Sequence, residues 1–111
     1  ALAEPSDSVY DDAKSCDNSA REDLVFFPRA VFRPSTAAQA ADAVKCANAA
    51  QVTVTPRSGR HGFFNEACSG EMILDVSQLT DFSVDVATKI ATFGTGFTGS
   101  TLYGALAPFD L

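Results

Sequence analysis

The sequence predicts an α+β fold: a βαβ start followed by antiparallel strands. Three observations carry that expectation. A short apolar run bracketed by prolines, "FFPRAVFRP", leads into the alanine-rich stretch "STAAQAADAVKCANAA" and then into the alternating run "QVTVT". Strand, helix and strand within about 27 residues form a βαβ unit, with two parallel strands joined by a right-handed crossover. Further on, "DFSVDVATKIATFG" alternates, turns and alternates again, as a hairpin does. A chain of 111 residues is one domain at most.

The elements follow in order. Residues 1–27 form an acidic N-terminal extension holding Asp7, Asp11, Asp12, Asp17, Glu22 and Asp23. Within it, "SDSVYDDAKS" makes a short helix capped by Ser6 or Asp7, with Val9, Tyr10 and Ala13 on one side, and "DNSARED" is a solvated connection. The acidic residues lack the order of a calcium-binding loop. Residues 28–111 carry the rest of the fold. "AVF" is the centre of the first strand of the βαβ unit. Thr36 followed by Gln39 is a capping-box pattern, and Ala37, Ala40, Ala41, Val44 and Ala47 or Asn48 give one small-residue face to lie on a sheet. Met72 to Val76 reads as a third strand. The hairpin runs Phe82 to Val86, turns through "ATK" and returns over Ile90 to Phe93. A helix with apolar Leu102, Tyr103 and Leu106 begins after "GTGFTG". Phe26-Phe27 and Phe63-Phe64 read as core or interface anchors, and Asp75 and Asp81 as strand-end and turn residues.

Composition excludes several classes of partner. The formal charge of −6 and the scattered placement of eight basic residues leave no cationic stripe for nucleic acid. No apolar run reaches the ~18 residues a membrane-spanning helix requires. Cys16, Cys46 and Cys68 are widely spaced without a C-x-x-C, which disfavours a zinc site, and no metal site is expected. They admit one disulfide with a leftover thiol, or three free thiols. The small-x-small "ALA" at residues 1–3 has the form of a signal-peptidase site. Together these features predict a secreted chain.

Two glycine-rich turns each follow a strand. "RSGRHG" at residues 57–62 contains the only histidine, and "GTGFTG" at 94–99 opens a helix. Glycines allow positive φ and bring N–H groups close to a phosphate. The second turn matches G-x-G-x-x-G literally, but a dinucleotide-binding Rossmann site places that motif after the first strand of a βαβ unit. Here it follows a hairpin, so the Rossmann site is rejected.

Taken in order, "PRAVFRPST", "QVTVTPRSGRHG", "MILDVSQL" and "GTGFTGSTLY" resemble the N-terminal flavin-binding segment of FAD-linked oxidoreductases of the vanillyl-alcohol-oxidase (PCMH) type. The nearest branch is that of berberine-bridge-enzyme-like proteins and oligosaccharide oxidases. The resemblance covers residues 28–106. It implies FAD as cofactor, with Arg57, Ser58, Gly59, Arg60, His61 and Gly62 in the pyrophosphate turn and Gly94 and Gly96 closing from the other side. Ser58 and Gly59 would offer backbone N–H groups. His61 matches the histidine that bonds covalently to the flavin 8α-methyl in many members, and a neutral imidazole nitrogen is a competent nucleophile near neutral pH. Cys46 matches a cysteine often bonded to one near the N-terminus, a place Cys16 would take.

Three positions depart from the family pattern. Arg60 stands where a second glycine is usual, and its side chain either crowds the phosphates or pairs with them as a guanidinium fork. Gly62 replaces Ser or Asp, and Ser100 replaces glycine. Arg57 and Arg60 are expected to face solvent or phosphate. The resemblance implies an oxidase that moves a hydride from an alcohol, sugar or alkaloid-type substrate to flavin, with O2 as acceptor. Family members are several times longer, so this N-terminal segment is expected to be inactive alone, with no catalytic base of its own, and to be completed by a C-terminal part. The alternative is a non-catalytic remnant or interaction domain without flavin.

Overall fold

The computed structural model describes residues 1–16, 26–62 and 64–111. The expected "DNSARED" connection, the acidic residues Asp17, Glu22 and Asp23, and Phe63 lie outside the described residues. Strands β1 (Leu2–Ala3), β2 (Ala30–Phe32), β3 (Val54–Arg57) and β4 (Met72–Asp75) form a four-stranded sheet in the order β1-β2-β4-β3. Strands β5 (Phe82–Asp85) and β6 (Ile90–Phe93) form a separate antiparallel hairpin. The helices are α1 (Tyr10–Lys14), α2 (Ala37–Ala49) and α3 (Gly99–Leu106).

This is the α+β class expected. The helix α2 joins two parallel strands, but β2 and β3 are not neighbours. Both pair in parallel with β4, which lies between them and places Ile73 opposite Val31 on one side and Thr55 on the other. The run "MILD" reflects that central place: a strand covered on both faces reads as apolar without alternation, and Ile73, Leu74 and Asp75 are all buried. The dipeptide Leu2-Ala3, expected to be only the trace of a processing site, pairs antiparallel with β2 as an edge strand. Ala3, Ala13, Val31, Cys68 and Ile73 make one core cluster, with Cys16 and Phe26 packed against it. The N-terminal segment is therefore part of the core. Tyr10 seals it, with its hydroxyl donating to the Pro28 carbonyl.

Local signals decide most element ends. Thr36 caps α2 by accepting from the Gln39 N–H, while the Gln39 carboxamide oxygen accepts from Ser35 N–H rather than from the cap residue itself. At its other end Gln51 takes a left-handed φ of 55° and Val52 N–H bonds back to Ala47 O at 2.9 Å. Such closures satisfy the last carbonyls of a helix. They use up residues 51–53, which is why β3 begins at Val54, three residues later than the alternating run suggests. The packed face of α2 is also rotated from expectation. Ala47 is buried and Ala40 and Ala43 are half-buried, whereas Val44 is 44% exposed. In α1, Tyr10 and Ala13 are buried and Val9 is exposed, with neither Ser6 nor Asp7 acting as the cap. Of the aromatic pairs, Phe26 packs on the core while Phe27 and Phe64 are exposed.

Candidate functional site

The two glycine turns meet. "RSGRHG" leaves the C-terminal end of β3 and "GTGFTG" leaves the end of β6, and the Ser58 hydroxyl donates to the Thr95 carbonyl at 2.7 Å. In the first turn, no acceptor among the described residues takes the N–H groups of Ser58 and Gly59. Successive unbonded N–H groups at a strand end are what an anion needs. His61 is exposed and its imidazole lies back over Gly59: a Cβ at residue 59 would sit 2.8 Å from His61 Cδ2. A Cβ at Gly62 would meet the carboxylate end of the exposed Glu66 side chain, which is free to turn aside.

None of the described glycines has positive φ. The left-handed position in the first turn is Arg60, with φ 60°, at the place where the related pattern has glycine. Its guanidinium is half-buried and held by the chain itself: Nη1 donates to the Ser15 carbonyl at 3.3 Å.

Arg57 departs furthest from expectation. Period-two alternation puts Val31, Arg33, Ile73, Asp75 and Arg57 on one face of the sheet, the face that carries α1. Arg57 and Asp75 are register partners across β3 and β4, 0% and 1% exposed. Nη2 of Arg57 donates to Asp75 Oδ2 at 2.8 Å and to Ala13 O at 2.6 Å, while Nη1 donates to Ser15 O at 3.3 Å. The guanidinium thereby caps the C-terminal carbonyls of α1 from below, where cations are favoured. Arg33 Nη2 reaches the same Asp75 oxygen at 3.0 Å, and Ser77 N–H donates to Oδ1 at 3.0 Å. Burial pushes the Asp75 carboxyl up, but the bonds from Arg57, Ser77 and Arg33 outweigh it and hold the group well below the usual carboxylate range. The Arg57 side chain therefore lies in the core, paired with Asp75, and not facing solvent as expected. Asp75 is the residue whose importance went unread; the available signal was an aspartate on the same strand parity as buried Ile73.

Cysteine pairing also differs from expectation. Cys16 is bonded to Cys68, with Cα atoms 6.3 Å apart, and Cys46 is free and exposed on α2. Cys16 follows α1's C-terminal cap and Cys68 ends the 3-10 turn Glu66–Cys68, with Arg57 Nη1 3.9 Å from Cys68 Sγ, whereas Cys46 lies on α2 beside the groove between that helix and the sheet.

In the second turn the glycines serve close packing. Gly94 N–H donates to Asp81 O at 2.8 Å and Gly96 N–H to Leu79 O at 2.9 Å, so neither N–H is available to a phosphate. A Cβ on Gly94 would run into the Leu79 carbonyl, and one on Gly96 would lie 2.7 Å from the carbonyls of Val76 and Ser77. These residues shape the wall of the site. Gly94→Ala is expected to destabilise the fold by about 1–3 kcal/mol, the usual effect of overpacking, measured as a lowered urea midpoint; an unchanged midpoint would show that the turn has room to spare. Apart from these turns, a groove of about 600 Å3 lies between α2 and the sheet, lined by Phe32, Ala43, Ala47, Val52 and Met72. None of the expected site residues reaches it.

Comparison with known proteins agrees with this layout. Residues 28–111 match the family described as FAD binding domain. The chain is 36% identical over 75 residues to FAD-linked oxidoreductase sorD of Penicillium rubens, covering 67% of this chain and 16% of that protein. It is 31% identical over 108 residues to FAD-linked oxidoreductase pynB of Aspergillus niger, covering 95% of this chain and 19% of that protein. Among solved structures, wild-type BBE-like 1 of Physcomitrella patens superposes with a TM-score of 0.88 at 33% identity, over 97% of this chain and 23% of that one. The chain thus spans less than a quarter of the length of each of these relatives.

Proposed function

The chain belongs to the FAD-binding domain family of the FAD-linked oxidoreductases, and on that premise we propose that its first glycine turn holds the FAD diphosphate and that His61 bonds covalently to the flavin. The observation that carries the proposal is the pair of unbonded N–H groups at Ser58 and Gly59, beside an exposed imidazole and against the Thr95 turn. Backbone N–H groups bind a diphosphate without net positive charge, which suits a chain of formal charge −6. Gly94 and Gly96 keep the opposing turn close. Gly59 leaves the imidazole the space it occupies. When bound, FAD supplies a hydride acceptor, so the whole protein would oxidise a carbon bearing a hydroxyl or amine group, with O2 restoring the cofactor. Alcohols, sugars and alkaloid-type molecules are the substrate classes of this reading. The Cys16–Cys68 bond supports work in an oxidising compartment, as a secreted protein.

Colour tests the reading. The protein incubated with FAD is expected to absorb at about 450 nm, a property of the cofactor itself, and to keep that colour through acid precipitation. His61→Ala should lose the acid-stable colour while still binding FAD reversibly. Full release of colour from the parent protein refutes the covalent bond, and protein that ignores FAD favours a domain without flavin.

A further inference from the structure

We propose that Asp75 is a positioning residue of the diphosphate site: its carboxylate holds the two glycine turns at a fixed separation, one turn through each oxygen. The ligand rests on the role proposed above for Ser58 and Gly59; the separation of the turns does not.

The contacts close into a ring. Asp75 Oδ2 accepts from Arg57 Nη2 at 2.8 Å, and Arg57 is the last residue of β3, directly before Ser58. Oδ1 accepts from Ser77 N–H at 3.0 Å, while Val76 N–H donates to Arg57 O at 2.9 Å. The second turn is seated on that segment: Gly96 lies against the carbonyls of Val76 and Ser77, and its N–H donates to Leu79 O at 2.9 Å. The Ser58 hydroxyl, donating to Thr95 O at 2.7 Å, joins the two sides.

The two oxygens have different tasks. Arg57 and Asp75 are 0% and 1% exposed, so the Oδ2 side is tied into the core. Ser77 is exposed, and its N–H would turn to water if Oδ1 were absent. The core would survive that loss, but the seat of Gly96 would shift relative to β3. The N–H groups of Ser58 and Gly59 would then face a wall at no set distance, and a ligand held there would have to order the turns as it binds. Ordering at the moment of binding lowers affinity.

Two double variants separate this role from that of the buried ion pair. Arg57→Met/Asp75→Asn and Arg57→Met/Asp75→Leu both lack the pair, but only the carboxamide keeps an oxygen for Ser77 N–H, a bond asparagine readily makes two residues on. FAD affinity is measured on a His61→Ala background, so that binding is reversible, and where both variants are fully folded. The Leu variant is expected to have the higher urea midpoint, since an apolar pair carries no desolvation penalty. It is nevertheless expected to bind FAD at least about fivefold more weakly than the Asn variant, the scale of one hydrogen bond. Equal affinities, or affinities that follow the urea midpoints, overturn the proposal, because Asp75 would then act through stability alone.

A second arm uses no flavin. In the ligand-free protein, the nuclear Overhauser contact between Ser58 and Thr95 is expected to persist in the Asn variant and to be lost in the Leu variant. A contact kept in both, or lost in both, overturns the proposal. If FAD binds neither parent nor variants, the flavin reading fails and this contact decides the positioning. Should the core variants not fold, Ser58→Ala opens the ring at its exposed bond. It is expected to lose the same contact and about threefold in FAD affinity, with Ser58→Thr restoring both; an unchanged contact overturns the proposal.

Discussion

Replacing Asp75 by Asn is expected to lower the stability of the fold by about 3–5 kcal/mol, the usual result of leaving one member of a buried ion pair uncompensated. Arg57 would remain charged at 0% exposure with only neutral acceptors, the new carboxamide oxygen, the Ala13 and Ser15 carbonyls and the Cys68 sulfur, to receive it. Against a total of about 5–15 kcal/mol for a domain, that loss shows as a large fall in urea midpoint. A double replacement, Arg57→Met with Asp75→Leu, is expected to recover a substantial part of it, because an apolar pair carries no desolvation penalty. If the double variant is no better than Asp75→Asn, the unpaired charge is not the cause. Acid dependence gives an independent check. The folded carboxyl of Asp75 is depressed below its ordinary value, so its contribution is complete above the unfolded pKa and is lost as pH falls toward the folded one. The parent protein should therefore lose stability progressively below about pH 4. Asp75→Asn should show a shallower acid dependence.

Breaking the Cys16–Cys68 bond is the second large effect. It joins positions 52 residues apart, and closing a loop of that length restricts the unfolded chain enough that its loss is expected to cost about 2–4 kcal/mol. Cys68→Ser, or a dithiol added to the parent, should shift the urea midpoint by a similar amount. Cys46→Ser should leave it unchanged, since Cys46 is free and exposed. A shift in the Cys46 variant, or none in the Cys68 variant, would contradict the pairing.

Much of the fold was legible because its signals are short-range. The α2 helix runs over Ala37–Ala49 with Thr36 as its cap, and the β5–β6 hairpin occupies Phe82–Asp85 and Ile90–Phe93 where the alternation placed it. The candidate site was legible only in outline. The convergence of the two glycine turns, seen in the Ser58–Thr95 bond, was implied by the order of several blocks resembling one family. Arg57 looked like part of the turn because it begins "RSGRHG" in sequence, yet it is the last residue of β3 and its side chain follows strand parity into the core. Gly94 and Gly96 looked like phosphate donors, yet their N–H groups answer carbonyls 13 and 17 residues earlier, at Asp81 and Leu79.

The sequence alone determined what neighbouring residues can settle: helix caps, strand alternation, turn positions, an acidic balance unsuited to nucleic acid, and a family likeness carried by ordered motifs. Tertiary structure decided which strand lies between which, which cysteine meets which, and where a charged group comes to rest. Those outcomes depend on surfaces brought together from distant parts of the chain. Arg57 and Arg33 are compatible with either solvent or core by sequence; β4 inserted between β2 and β3 sets Asp75 beside both, and that arrangement makes the buried cluster possible.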